Sequence, residues 1–180
     1  MKKILFFFLL LSITYISVKA QKLYATKSGQ ITFNATGGID KIAAVNNQVD
    51  SKMLDKSGQI VFSILIKSFK FENQLMEDHF NENYLESTKF PKAEFKGYIT
   101  NIAGVNFSKD GKYNVVADGD LTIHGVTKKV SVPGVITIAS GKATINGTFK
   151  VHIKDYGITG LYIGEKIAPE ATININCKYD

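Results

Sequence analysis

Apolar and polar residues alternate one for one along most of the chain. The clearest case is Ala117, Gly119, Leu121 and Ile123, interleaved with Asp118, Asp120, Thr122 and His124. A period of two places each set on its own face of a strand, one dry and one wet. His124-Gly125 then fits a two-residue turn, because Gly takes positive φ freely and His tolerates it better than most side chains. The chain returns over Val126 to Ile138, where Pro133-Gly134 calls for a bend or an edge position. Ala143, Ile145, Gly147, Phe149, Val151 and Ile153 alternate next, and Ala171, Ile173, Ile175 and Cys177 form the last strand.

Upstream, the same period predicts strands over Leu23 to Thr26 and Gln30 to Ala35, interrupted at Ser28-Gly29. Weaker patterns follow over Ile42 to Val45 and Gln48 to Leu54, with a bulge or turn at Asn46-Asn47. Gln59 to Lys67 and Ala93 to Ile102 are strong strands, and Lys109 to Lys112 is a hairpin turn leading into Tyr113 to Ile123. Helical spacing occurs once. Leu75, Met76, His79 and Phe80 share a face, Asn73 can cap the start, and Glu77 and Asp78 fall on the polar side, so a helix is predicted from Asn73 to Asn81. Tyr84-Leu85 reads as a further turn before Phe90-Pro91. Eight to ten strands, short turns and one helix suit an up-and-down antiparallel barrel, with an open sandwich as the competing architecture. Closure would remove the exposed edges of the sheet.

Composition narrows the setting. Lys2 and Lys3 precede the apolar run Ile4 to Ile13, and Val18-Lys19-Ala20 has the small-x-small form of a cleavage site, so residues 1–20 read as a secretory signal. The run is short of the roughly twenty residues a membrane span needs, and no stable span is expected after its removal. The remaining 160 residues suit one domain, and their formal charge is +3 rather than +6, because Lys2, Lys3 and Lys19 leave with the signal. The chain has no Arg, so forked recognition of phosphates or bases is not available and a nucleic-acid role is disfavoured. Its single cysteine, Cys177, allows no internal disulfide and reads as a buried thiol.

Two sets of residues carry a family likeness. Leu121-Thr122-Ile123-His124-Gly125-Val126-Thr127-Lys128 is one; Leu75 to Phe80, Tyr84-Leu85 and Lys89-Phe90-Pro91-Lys92-Ala93-Glu94-Phe95 are the other, with Lys154 to Ile158 downstream. Together they resemble the YceI-like family of bacterial secreted proteins. The resemblance implies a lipocalin-like, all-β antiparallel barrel over residues 21–180, with a polyisoprenoid or another long-chain apolar lipid as partner and no cofactor besides that ligand. An isoprenoid quinone is one such lipid.

Catalytic signatures are lacking. His79, His124 and His152 show no metal-ligand spacing and read as exposed structural histidines, with the turn residue His124 the one that could face a partner. Asp118 and Asp120 share a strand face that reads as solvated, and no Gly-x-Ser-x-Gly elbow occurs. The protein is therefore expected not to be an enzyme. The informative feature is the dry face of the strands. Phe33, Phe62, Ile64, Phe95, Tyr113, Leu121 and Phe149 mix there with Gly97, Ala117, Gly119, Gly147 and Ala171. Small inward residues leave room that either large neighbours or a ligand must fill. If a ligand fills it, those residues contact it, except Ala171, which is placed only on that face; Leu75, Met76 and Phe80 of the helix join them at the mouth. Burying ~500 Å² of hydrocarbon would contribute roughly 12 kcal/mol before ordering costs. Two functions stay open: a periplasmic or secreted barrel that transports, stores or sequesters such a lipid, and a filled barrel that acts through its outer surface as a stress-related interaction factor. A homodimer is open for either.

Overall fold

The structure, a computed structural model, describes residues 21–39 and 41–179; the signal segment expected over residues 1–20 lies outside the described residues. Among the described residues there are nine strands, eight over the predicted alternation and a short one, β4, that it did not predict: β1 (Leu23–Thr36), β2 (Ala43–Leu54), β3 (Gln59–Leu65), β4 (Lys70–Phe71), β5 (Lys92–Ile99), β6 (Gly111–Ile123), β7 (Val126–Ala139), β8 (Lys142–His152) and β9 (Ile167–Lys178). Every pairing between them is antiparallel, in the order β1-β9-β8-β7-β6-β5-β3-β2, and β2 pairs back onto β1. The sheet therefore closes into a barrel rather than an open sandwich, and the two-residue β4 hangs on β2 alone. The hairpin at His124-Gly125 has the positive φ values its sequence requires, 50° and 75°.

Local chemistry explains the irregularities. β1 is continuous through Ser28-Gly29, but its register shifts there. A Cβ on Gly29 would lie 2.4 Å from the Cys177 sulfur, so only glycine lets β1 pass over that side chain. Asn46 marks the bulge in β2. It is fully buried, accepting from the Gln48 amide at 2.8 Å and donating to the Leu65 carbonyl at 2.9 Å.

The two ends of the barrel differ. At one end Tyr24, Val49, Met53, Ile99, Ile138, Cys177 and Tyr179 are all buried and fill the interior. The Tyr24 ring lies 5.2 Å from that of Phe107, and the Tyr179 hydroxyl bonds Ser51 at 2.8 Å. At the other end the strands splay. β7 pairs with β6 as far as Val126, yet its pairing with β8 stops at Gly134↔Gly147. β8 runs on to His152 against β9 alone. Pro133, which has no N–H to give, thus stands where β7 becomes an edge. β2 likewise leaves β3 beyond Asp50↔Ser63 and meets β4 instead.

Helix α1 (Gln74–His79) lies across the splayed end. Asn73 caps it as its sequence predicts, accepting from the amides of Leu75 and Met76 at 2.8 and 3.4 Å. A π-helical turn, Phe80–Tyr84, continues it. Two helix faces differ from expectation. Glu77, expected in solvent, is buried and accepts from Lys70 Nζ at 2.6 Å and from the Phe71 amide at 3.3 Å. Leu75, expected on the dry face, is 61% exposed. The ion pair with Lys70 fixes the helix to β4 and rotates Leu75 outward to the rim.

Candidate functional site

Between the filled end and the helix lies an apolar cavity of about 490 Å³. Its depth is set by branched aliphatics on successive strands, among them Ile31, Ile60, Ile145 and Ile175, and its upper wall by aromatic rings. The Phe80 ring stacks on Phe33 at 5.3 Å, and Phe69 and Phe71 pack edge-on or tilted against the same pair at 5.1–5.6 Å. Such offset and edge geometries hold rings firmly while presenting their faces and edges to the chamber. The polar groups Asn73, His79, Tyr84, Tyr162 and Lys166 belong to the helical segment and to the 157–166 loop, at the mouth. Burial raises the Tyr84 phenol above its usual range, and Tyr162 beside it pushes the same way. Lys166 sits over the Tyr162 ring, 5.3 Å from its centre. The cavity is therefore oily over most of its wall, with its hydrogen-bonding side chains at the mouth apart from Asn146, which lines it beside Gly147 where β7 and β8 part.

Eleven of the fourteen residues singled out in the sequence line this cavity: Phe33, Phe62, Ile64, Leu75, Met76, Phe80, Phe95, Ala117, Leu121, Gly147 and Phe149. Gly97, Gly119 and Tyr113 do not. Gly97 and Gly119 face each other across β5 and β6. A Cβ on Gly119 would come within 2.5 Å of the Lys96 carbonyl and 2.8 Å of the Phe95 ring. One on Gly97 would reach 2.3 Å from the Asp118 carbonyl. Here the room left by glycine is taken by backbone and by Phe95, not by a ligand. Tyr113 lies towards the filled end, opposite Ile136, and donates its hydroxyl to the Lys109 carbonyl at 2.9 Å. The wall also contains residues that alternation could have supplied, such as Ile173 and Val151, and others with no periodic signal at all: Ile158, Tyr162, Ile163 and Lys166 of the loop.

The histidines divide. His79 lines the mouth and His152 is exposed beside Glu170, 3.0 Å away. His124, expected to be exposed, is largely buried, with 12% of its side chain accessible. Its Nε2 lies 2.7 Å from a Glu86 carboxylate oxygen and its Nδ1 3.3 Å from the Tyr156 carbonyl. The Phe90 ring packs edge-on at 4.4 Å. One side chain thus ties the β6–β7 hairpin to the segment after the helix and to the turn after β8. Both neighbours accept, so an imidazolium can donate to each, a neutral ring to one.

The wall is suited to binding an apolar ligand. It is hydrocarbon over most of its extent, and among the described residues no group of three or more His, Cys, Asp or Glu could hold a metal. Cys177 is fully buried under β1, and burial pushes its thiol up to about 12. Among the described residues no helix is long and apolar enough to cross a membrane.

A closed antiparallel barrel with an apolar chamber under a helix defines a hydrophobic-cavity binding protein of lipocalin-like design. The YceI-like domain matches residues 16–179, and the chain belongs to that family. Three solved structures share the fold. A polyisoprenoid-binding domain from Saccharophagus degradans is 10% identical, with a TM-score of 0.76 over 89% of this chain and 99% of its own. BcnA of Burkholderia cenocepacia is 18% identical, with a TM-score of 0.70 over 84% and 96%. The YCEI protein of Campylobacter jejuni is 18% identical, with a TM-score of 0.55 over 100% and 99%. No curated protein matches the chain in sequence.

Proposed function

We propose that this protein holds a long-chain apolar lipid of the isoprenoid type, such as an isoprenoid quinone, and transports, stores or sequesters it in the periplasm or outside the cell, with residues 1–20 serving as the export signal. The observation that carries the reading is the distribution of polarity in the cavity: hydrocarbon over most of the wall, with all its hydrogen-bonding side chains but Asn146 at the mouth. A ligand that fits must be apolar along its length and tolerate polarity at one end. The mixture of methyl-bearing and aromatic walls suits a branched chain, which makes dispersion contacts on every side. The polyisoprenoid-binding domain of Saccharophagus degradans, alike in fold, supports the same class of ligand. The eleven lining residues named above are then the contact surface, and Tyr84, Tyr162 and Lys166 meet the head group.

Mass spectrometry of an organic extract of the purified protein tests this. The wild type should release a long apolar lipid with isoprenoid mass spacing. Ala117→Phe and Gly147→Leu, which push bulk into the chamber, should each lower its occupancy by about tenfold or more. A lipid-free wild type, or wild-type occupancy in both variants, would overturn the proposal.

A further inference from the structure

Exposed apolar side chains lie on the segments that frame the cavity mouth. Ile39 is fully exposed and Leu161 is 90% exposed, while Leu75 and Tyr162 are 61% and 48% exposed. They come from three separate parts of the chain: the β1–β2 loop, helix α1 and the 157–166 loop. The fold brings them together. The Gly37 amide donates to the Lys166 carbonyl at 3.0 Å, which joins the first loop to the third, and Leu75 and Tyr162 themselves line the opening. Isolated exposed aliphatics are ordinary on a surface, but several at one rim, continuous with an oily cavity, are a contact surface.

We propose that this rim docks on a lipid bilayer, with Ile39, Leu75, Leu161 and Tyr162 inserted at its surface so that cargo passes between membrane and cavity without crossing water. The proposal rests on the lipid-holding function above and names its partner. A hydrocarbon chain leaving a bilayer through water would expose its whole apolar length to solvent; a rim seated among acyl chains removes that exposure. Tyr162, amphipathic and overlain by Lys166, is of the type that settles at a membrane interface. Charges of both signs alternate near the rim: Lys41 pairs with Glu72, Lys70 with Glu77, and Lys166, over the Tyr162 ring, follows Glu165 in the chain, so no field of one sign builds up there. Docking accordingly proceeds by insertion, with weak dependence on salt and on anionic lipid.

Flotation of the full mature protein with phosphatidylcholine vesicles tests it, with the co-purified lipid measured in parallel. The wild type should float with the vesicles at both low and high salt. Ile39→Ser combined with Leu161→Ser should float on the order of tenfold less while retaining the same cargo. Tyr98→Ser, at an exposed aromatic beside Ile99 of the filled end, should float like the wild type. A wild type that stays with the free protein, or a rim variant that floats unchanged, overturns the docking whether or not lipid is present. A wild-type dimer that the rim variant splits, with neither floating, overturns it in favour of a second copy of the chain. Absence of lipid from wild type and variant alike, with flotation still dependent on the rim, sinks the cargo reading and supports the docking surface on its own.

Discussion

Small side chains do two unlike things in this barrel. Ala117 and Gly147 widen the chamber; Gly97 and Gly119 let β5 and β6 approach so closely that no Cβ fits. In the sequence both kinds occupy the same dry-face positions, because alternation reports which side a residue faces and nothing about what stands opposite. Cys177 makes a sharper case at the same scale. Its pKa is raised to about 12 by burial, so the folded state keeps the thiol neutral where the unfolded chain ionises. The unfolded state therefore binds fewer protons above the ordinary thiol range. The associated stability is complete below pH about 8.5 and is lost as pH rises towards 12, with Tyr179, also raised by burial, adding to the loss. Urea unfolding should show stability falling by a few kcal/mol between pH 8 and pH 11. Cys177→Ala should flatten part of that slope, and an unchanged slope would show that the thiol does not titrate in this way.

Among the elements, the helix and the hairpin decide what closes the mouth. The Asn73 cap and the position of α1 were legible, since capping is local. The rotation of the helix was not: burying Glu77 is favourable only because Lys70 and the Phe71 amide come to it from β4. The hairpin follows the same rule. Its turn type was readable from His124-Gly125, whereas the burial of His124 depends on Glu86 and Tyr156, thirty-eight and thirty-two residues away in sequence. His124→Ala removes both bonds and leaves Glu86 without its partner. We expect a loss of about 1–3 kcal/mol in chemical denaturation and faster exchange of bound lipid, followed with a fluorescent polyene. His124→Gln, which can still donate to one acceptor, should recover part of both. Stability lost with exchange unaltered would limit His124 to holding the fold.

As a whole, the molecule is half core and half container. The filled end, with Tyr24, Met53, Ile99 and Tyr179 buried, anchors the fold, and the splayed end holds the space. The question of a filled or a hollow barrel has a different answer at each level. The container should depend on its contents: a ligand that binds only the folded state at a hundred times its Kd stabilises by about 2.7 kcal/mol. Removing bound lipid with organic solvent or detergent exchange should lower the calorimetric melting temperature by several degrees, and adding a long-chain isoprenoid alcohol should restore it. An identical Tm before and after would mean that the cavity contributes nothing to stability by being occupied.

The sequence by itself determined the long strands, the His124-Gly125 turn, the capped helix and the face each strand side chain takes, because all of these follow from near neighbours and a backbone with few allowed states. The family likeness at the His124 turn and the Phe90-Pro91 segment was legible for the same reason. Only the tertiary structure decided where β7 parts from β8, which glycines line space and which allow contact, that Tyr113 stands below the chamber, and that the loop of Ile39 is bonded to the loop of Leu161 and Tyr162. Each of those is a distance between residues far apart along the chain. A period of two carries no record of such distances; they are set when the sheet curls and closes on itself.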